Sequence, residues 1–381
     1  MNRDLTEILR ARDYTDGKAV VIFGVRGVGK TKLVRDVIGA ADSISFDGAD
    51  PAFARGFHFS TTADARTFLF AAPNIVIENA QDIPDCLRSL KILADVNETL
   101  RRPARLFVTA AADFVNGAGS GESAVGRFEL FCLWPAALTE LAKDRGDAGA
   151  AKDIAERLVF GMLPDVITSP ETAGQPLARI TDSVLYADIL GTAAIRKPKA
   201  FLLLVRRLAD LIGSEVSYDA LARETGLSKH TVSDYIALLE AHFVVRQCAS
   251  LSVGHPAEIR KGKKIYFCDL GIRNALLRRF EPLEERTDAA ALWENFVFME
   301  RVKHLEERCP GAQIRFWRLK APQTQKIDFV EEWCGTRRAF DCRLSNSGLV
   351  RLPAAFAKAC GTCDFRVVTP QNILKLEDRE S

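Results

Sequence analysis

Neither charge dominates this chain of 381 residues: 52 lysines and arginines stand against 50 aspartates and glutamates, for a formal net charge of +2. A global basic field that would draw in nucleic acid or a membrane surface is therefore missing, and any such contact must come from a local patch. Apolar runs long enough to span a membrane are missing as well. The opening residues, Met1-Asn2-Arg3-Asp4-Leu5-Thr6-Glu7, carry no apolar stretch of the kind a signal peptide needs, so a cytoplasmic protein without membrane contact is expected. The nine cysteines lack the paired intervals of a zinc site, and most stand in apolar segments as buried reduced thiols do. The one close pair, Cys360-Gly361-Thr362-Cys363, is read as a turn between two elements rather than as a metal or redox site. Internal repeats and low-complexity tracts are absent too, which argues against a repeat array or a disordered tail.

What is present is a globular composition, 48% hydrophobic and 27% charged, on a chain long enough for two to four domains. Its most informative stretch is Gly24-Val25-Arg26-Gly27-Val28-Gly29-Lys30-Thr31. This matches G-x-x-x-x-G-K-[ST] in full, between a buried strand at 18–23 and a helix at 32–38, the context the motif requires. Glycines at 24, 27 and 29 let the backbone approach a polyphosphate, so that the N–H groups of Gly27, Val28, Gly29, Thr31 and Lys32 surround it. Lys30 would reach the β and γ phosphates, and Thr31 would offer its hydroxyl to Mg²⁺. ATP or ADP with Mg²⁺ is the expected ligand.

Downstream, 43–47 reads as a strand, 61–70 as an amphipathic helix, and Asn74-Ile75-Val76-Ile77-Glu78 as an apolar strand ending in an acid. Such a strand end belongs at the carboxyl edge of a parallel sheet, beside the ligand. Two carboxylates usually follow one another there, one for the metal and one to position the attacking water. This chain offers Glu78 and Asn79, and an amide cannot take a proton from water. If the register slips by one, Glu78 becomes the water-positioning residue and the metal carboxylate is the one missing. The next strand, 105–112, ends in alanines, with Thr109 the only polar sensor at its tip. Arg127, after the loop Gly121-Glu122-Ser123-Ala124-Val125-Gly126, is either a catalytic arginine, for its own or a neighbouring subunit, or a surface residue.

The order of these pieces resembles a family of prokaryotic AAA+-type ATPases whose P-loop domain is followed by a helical lid, a winged helix and a restriction-endonuclease-like end. The family pattern, G-x-R-x-x-G-K-T, L-D-E-x-Q, T-G-S, S-L-A-G-R and P-L-x-x-x-E-L, is met here by 24–31, 77–81, 109–111, 123–127 and 133–141. Two departures stand out: D-E is replaced by Glu78-Asn79, and the sensor serine by Ala111. The resemblance implies an intact nucleotide site with weakened hydrolysis.

Past the break at 145–149, helical spacing at 153–160 leads into Gly161-Met162-Leu163-Pro164-Asp165-Val166, similar to the family's G-x-x-P-E-V, and a further helix is expected at 183–190. An apolar helix at 200–212 opens a tri-helical unit. Ser217 caps its second helix, Gly226-Leu227-Ser228 makes the turn, and the recognition helix begins near Ser228. Lys229, His230, Thr231 and Ser233 are then candidates to face a DNA groove, with Lys261, Lys263 and Lys264 touching phosphates from wing strands at 243–247 and 264–268. Asp219, Glu224, Asp234 and Glu240 dilute that charge, and packing or a protein contact is the other use of such a module.

The last segment reads as a helix at 289–301 and strands at 313–318, 326–332 and 337–343. By resemblance, Glu294, Asp328, Asp341 and Arg343 fall where a nuclease of the restriction type holds Mg²⁺. Arginine in place of lysine cannot act as a base, and Lys326 stands where an acid is common. Binding or structure without cleavage is expected of this end.

The architecture expected is therefore α/β: an AAA+-like P-loop sheet at 1–145, a helical lid at 146–195, a winged helix at 196–288 and a small mixed α/β nuclease-like domain at 289–381. The function expected is ATP–Mg²⁺ binding with slow or absent hydrolysis, the nucleotide acting as a conformational ligand. Two alternatives stand beside it: an active ATPase coupled to DNA, in which Asp82 or Asp47 supplies the missing carboxylate, and a non-catalytic DNA-binding regulator or protein scaffold. The residues leave the partner, the DNA sequence and the oligomeric state open.

Overall fold

A computed structural model describes residues 2–112, 126–169, 173–191, 194–252, 254, 262–309, 311–319, 325–345, 350–361 and 363–376. It divides into two compact units, Met1–Pro135 with Ala241–Phe243, and Ala136–Glu240 with Val244–Ser381. No helix among the described residues is long and apolar enough to cross a membrane.

The first unit is built on five parallel strands, β1 (Ala19–Phe23), β2 (Ser43–Asp47), β3 (Asn74–Glu78), β4 (Arg105–Ala110) and β5 (Phe128–Cys132), in the order β2-β3-β4-β1-β5. Every residue of β1 is buried, because helices cover both faces of a parallel sheet and an inner strand has no solvent side. Edge strand β2 instead alternates between exposed and half-buried positions. Its Phe46 stacks on Phe53 and Phe68, with ring centroids 4.8 and 5.0 Å apart. The helix Thr62–Leu69 starts in a capping box, Thr61 accepting from the Asp64 N–H while the Asp64 carboxylate accepts from that of Thr61. Because all five strands run one way, the ends of β1, β3 and β4 meet at one edge of the sheet, where a ligand of an open α/β sheet sits.

In the second unit helices precede and interleave with the strands of a seven-stranded sheet. The helices expected at 153–160, 200–212 and 289–301 are found as Asp147–Phe160, Pro198–Asp210 and Ala289–Arg308, and Ser183–Ile189 is π-helical. The sheet takes β6 (Glu215–Val216), β7 (Val245–Ser250), β8 (Lys263–Phe267), β9 (Gln313–Leu319), β10 (Gln325–Trp333), β11 (Thr336–Cys342) and β12 (Asp364–Val368), in the order β12-β11-β10-β9-β7-β8-β6. Wing strand β7 pairs in parallel with β9 through Ala249↔Arg315 and Ser250↔Phe316. The boundary expected at 288 therefore falls inside a sheet that both sides share. Pairing between strands more than sixty residues apart leaves no local trace in the sequence.

The helix Ala289–Arg308 is buried from Leu292 to Leu305, charged residues included. Arg301 donates to Glu331 at 2.6 and 3.0 Å, and Lys303 to Glu300 at 2.6 Å. Just before it, Asp288 accepts from Arg273 at 2.6 Å and from Arg286 at 2.9 and 3.0 Å. Burial alone would push the Asp288 carboxyl up, but these two arginines bring it down to about 2. A depressed carboxylate stabilises the fold fully above its unfolded value near 3.8 and loses that contribution as pH falls toward about 2. Asp288→Asn is thus expected to lower the melting temperature at pH 7 and to narrow the gap to wild type between pH 4 and 2. A gap that stays constant over that range would contradict the assignment.

Candidate nucleotide site

The chain leaves β1 at Phe23 and turns through Gly24, Gly27 and Gly29, whose φ angles are 154°, 81° and 96°. Side chains rarely adopt such values. Gly24 is also needed for space, since a Cβ there would fall on the carbonyl oxygen of Leu133. Gly29 is the N-cap of the helix Lys30–Ile38, and no side chain caps that terminus. The leading N–H groups of the helix, including those of Thr31 and Lys32, therefore face the loop, which suits an anion. Lys30 Nζ lies over the loop, donating to Gly24 O at 2.6 Å and Val25 O at 3.1 Å. Val28 is buried beneath the loop. The Lys32 side chain is 70% exposed and pairs with Asp36, so only its backbone belongs to the site.

Across the edge, the Thr31 hydroxyl donates to Glu78 Oε2 at 2.6 Å. Asn79 takes a left-handed conformation, φ 51°, and its amide donates to Asp47 Oδ1 at 2.8 Å. Gln81, the last residue of the second motif, accepts from the Ala111 N–H at 2.9 Å. Thr109 is buried near the end of β4. A polyphosphate with Mg²⁺ fits this arrangement: an uncapped helix terminus and an ammonium supply positive potential, and one hydroxyl and one carboxylate oxygen converge as hard donors.

Arg127 is not part of this group. β5 runs parallel to β1 with Ala19 opposite Phe128 and Phe23 opposite Cys132, so Arg127 stands at the amino end of the sheet. Five strand steps put it roughly 16 Å from the loop edge. Its Nε donates to Asp95 at 2.5 Å. The expectation that Arg127 could serve its own subunit is corrected by this placement. Ser123, Ala124 and Val125 lie outside the described residues.

Comparison with known proteins bears on the same stretch. Residues 16–142 match the family model described as AAA domain. They form an AAA-type P-loop domain. Residues 151–283 match a second family, described as a domain of unknown function (DUF8612). Over 357 residues the chain is 29% identical to the uncharacterized protein Rv2008c of Mycobacterium tuberculosis and, equally, to Mb2031c of Mycobacterium bovis, covering 91% of this chain and 74% of each relative. Among solved structures, the Walker-type ATPase PABY2304 of Pyrococcus abyssi overlays with a TM-score of 0.47 at 13% identity, covering 72% of this chain and 95% of that one.

Beyond the AAA domain, the helix-turn-helix residues are answered locally. Ser217 accepts from the Ala220 N–H, Gly226 turns the chain with φ 68°, and Ser228 Oγ accepts from the Thr231 N–H at 3.0 Å. Lys229 pairs with Asp219 at 2.8 Å and His230 with Asp234 at 2.7 Å, while Ser233 is half-buried. Such exposed pairs are weak, but they leave this surface of mixed sign. Lys263 donates to Gln247 at 2.9 Å. Lys264 corrects the expectation of a phosphate contact: it is only 7% exposed and donates to Glu294 Oε1 at 2.8 Å. Lys261 lies outside the described residues.

The nuclease-like residues do meet, with their charges already balanced. Glu294 and Asp328 line one cavity of about 340 Å³ with Lys326, Arg343, Ser214 and Ser345. Glu294 accepts from Lys264 and from the Tyr266 hydroxyl at 2.7 Å. Asp328 accepts from Lys326 and from the Cys342 N–H, both at 2.8 Å, and Asp341 is bound by Arg343. Burial holds the Glu294 carboxyl above its usual range; Lys264 opposes this and the charge of Asp328 adds to it. Among the described residues no three His, Cys, Asp or Glu side chains form a group able to hold a metal. Sequence reasoning missed Tyr266 and gave Lys264 a different role. They alternate on one face of β8, but their partner Glu294 is about thirty residues away on a helix, and only that distance in space reveals the role.

Proposed function

We propose that this chain binds ATP with Mg²⁺ at Gly24–Thr31 and hydrolyses it slowly or not at all, the nucleotide serving as a conformational ligand. The observation that carries the reading is the pairing at the sheet edge. Thr31 and Glu78 share a 2.6 Å hydrogen bond, while the neighbouring amide of Asn79 is turned to Asp47. One carboxylate therefore stands with the metal-binding hydroxyl, and the next residue cannot act as a base. Lys30 and the backbone of Gly27, Val28, Gly29, Thr31 and Lys32 would hold the phosphates, and Thr31 and Glu78 the Mg²⁺, which lends the phosphates charge neutralisation when bound. Any contact of Arg127 with nucleotide would be made in a second copy's site.

The pairs of Lys229 with Asp219 and of Glu294 with Lys264 do not favour duplex DNA binding or phosphodiester cleavage, and neither is proposed. Asp47 favours one other reading, an active ATPase. It sits on the adjacent strand end in contact with Asn79, so it is the carboxylate nearest the vacancy in the motif.

Steady-state ATP hydrolysis, with and without duplex DNA, separates the two. The expected result is wild-type turnover that is absent, or slow and unchanged in Asp47→Asn, with or without DNA. Turnover that needs Lys30 and disappears in Asp47→Asn would replace the switch with the active enzyme. A second expectation concerns the metal. Glu78→Gln should weaken ATP binding about tenfold in Mg²⁺ and little in chelator, measured by calorimetric titration.

A further inference from the structure

The helix Ala354–Cys360 ends at a thiol, and Gly361 then reverses the chain with φ 74° and ψ −143°. That conformation is open essentially to glycine alone. A Cβ at this position would meet nothing within 4 Å, so backbone geometry, not crowding, calls for the glycine. The reversal brings the second thiol, Cys363, to the start of β12, and both sulfurs then meet the same residue of β11. Arg337 Nη1 donates to Cys360 Sγ at 3.3 Å, and Cys363 Sγ donates to Arg337 O at 3.5 Å. Arg337 is held in place by Glu332, which accepts from its Nε at 2.7 Å. Both thiols are half-buried against the cluster of Trp317, Ala339 and Phe356.

We propose that Cys360 and Cys363 are a redox-active dithiol, in which Cys360 attacks under the Arg337 guanidinium and Cys363 resolves. A cationic N–H donor on a partly accessible sulfur is the setting in which cysteine acts as a nucleophile. Cys363 is the waiting partner: burial first, then the nearness of Cys360, pushes its thiol up to about 11.

The oxidant is a hydroperoxide. Cys360 sulfur attacks the terminal peroxide oxygen, an S–O bond forms as the O–O bond breaks, and the leaving alkoxide takes up the thiol proton, giving an alcohol and a sulfenic acid. Cys363 sulfur then attacks Cys360 sulfur; the S–S bond forms, the S–O bond breaks, and the departing hydroxide takes the Cys363 proton as water. Two electrons pass from the thiol pair to the peroxide. Because only two residues separate the thiols, the second step closes a very short loop within one chain.

The test uses the full chain treated with hydrogen peroxide and read by peptide mass spectrometry, with exposed Cys334 as the internal reference. The 360–363 disulfide is expected to form at least about tenfold faster than Cys334 is oxidised, and about tenfold slower in Arg337→Gln than in wild type, with Arg337→Lys recovering part of the rate. Cys363→Ser should stop at a sulfenic acid on Cys360. Melting curves show whether each variant is folded. Oxidation of Cys334 at an equal or greater rate, a disulfide rate indifferent to Arg337→Gln in a folded variant, or a Cys363→Ser protein whose Cys360 stays reduced would each overturn the proposal.

Discussion

Lys30→Ala is expected to weaken ATP–Mg²⁺ binding about a hundredfold, because a charge-assisted contact at a phosphate contributes roughly 1.5–3 kcal/mol and this ammonium makes more than one. In the structure Lys30 Nζ already lies over the loop, on Gly24 O and Val25 O. Binding would exchange these carbonyls for phosphate oxygens, so the side chain needs little reorganisation to reach its ligand. The loss should be visible as a shift in dissociation constant by calorimetric titration. The folded state should change little, since the contacts to Gly24 O and Val25 O are only part-buried. Unchanged affinity in a folded Lys30→Ala protein would remove the nucleotide site itself, and with it the switch.

Gly161→Ala is expected to destabilise the second unit by about 3 kcal/mol or more. Gly161 closes the helix Asp147–Phe160 with φ 78°, and a Cβ there would fall on Asp269 Oδ1 and stand 2.6 Å from Gly271 N. Asp269 cannot give way cheaply. It is buried and accepts from the N–H groups of Met162 at 2.7 Å and Ile272 at 3.1 Å, the latter starting the helix Leu270–Leu277. Gly271 answers from the other side, where a Cβ would fall on Phe160 O. Bare backbone from two helix ends thus packs together, and a single methyl group pushes them apart. Urea denaturation followed by helix signal measures the effect. A loss below about 1 kcal/mol would mean that the contact relaxes and that the glycine serves only the turn.

Such contacts explain what could be read in advance. The strand, glycine turn and helix around 24–31 were legible because their signals lie within one continuous run, residues 18–38. Apolar β-branched residues, glycines at positive φ and an amphipathic helix all agree there. Glu78 and Asn79 were legible by position, at the end of an apolar strand. The bond from Asn79 to Asp47 was not, because those residues are thirty-two apart in the chain and meet only through the pairing of β2 with β3. Gly161 was legible as part of a short motif, but its reason, a carboxylate more than a hundred residues away, was not.

By itself the sequence determined the strand, phosphate loop and helix at 18–38 and the residue types at the edge of the first sheet, since local periodicity and backbone sterics decide those. Tertiary structure alone decided which charges are already answered. Lys264 reads as a wing cation and is a buried partner of Glu294; Arg127 reads as either a catalytic arginine or a surface residue and stands just before the amino end of its strand; Arg337 shows no motif and contacts two cysteines. A charge acts through what lies within a few ångströms of it, and for these residues that neighbourhood comes from distant parts of the chain.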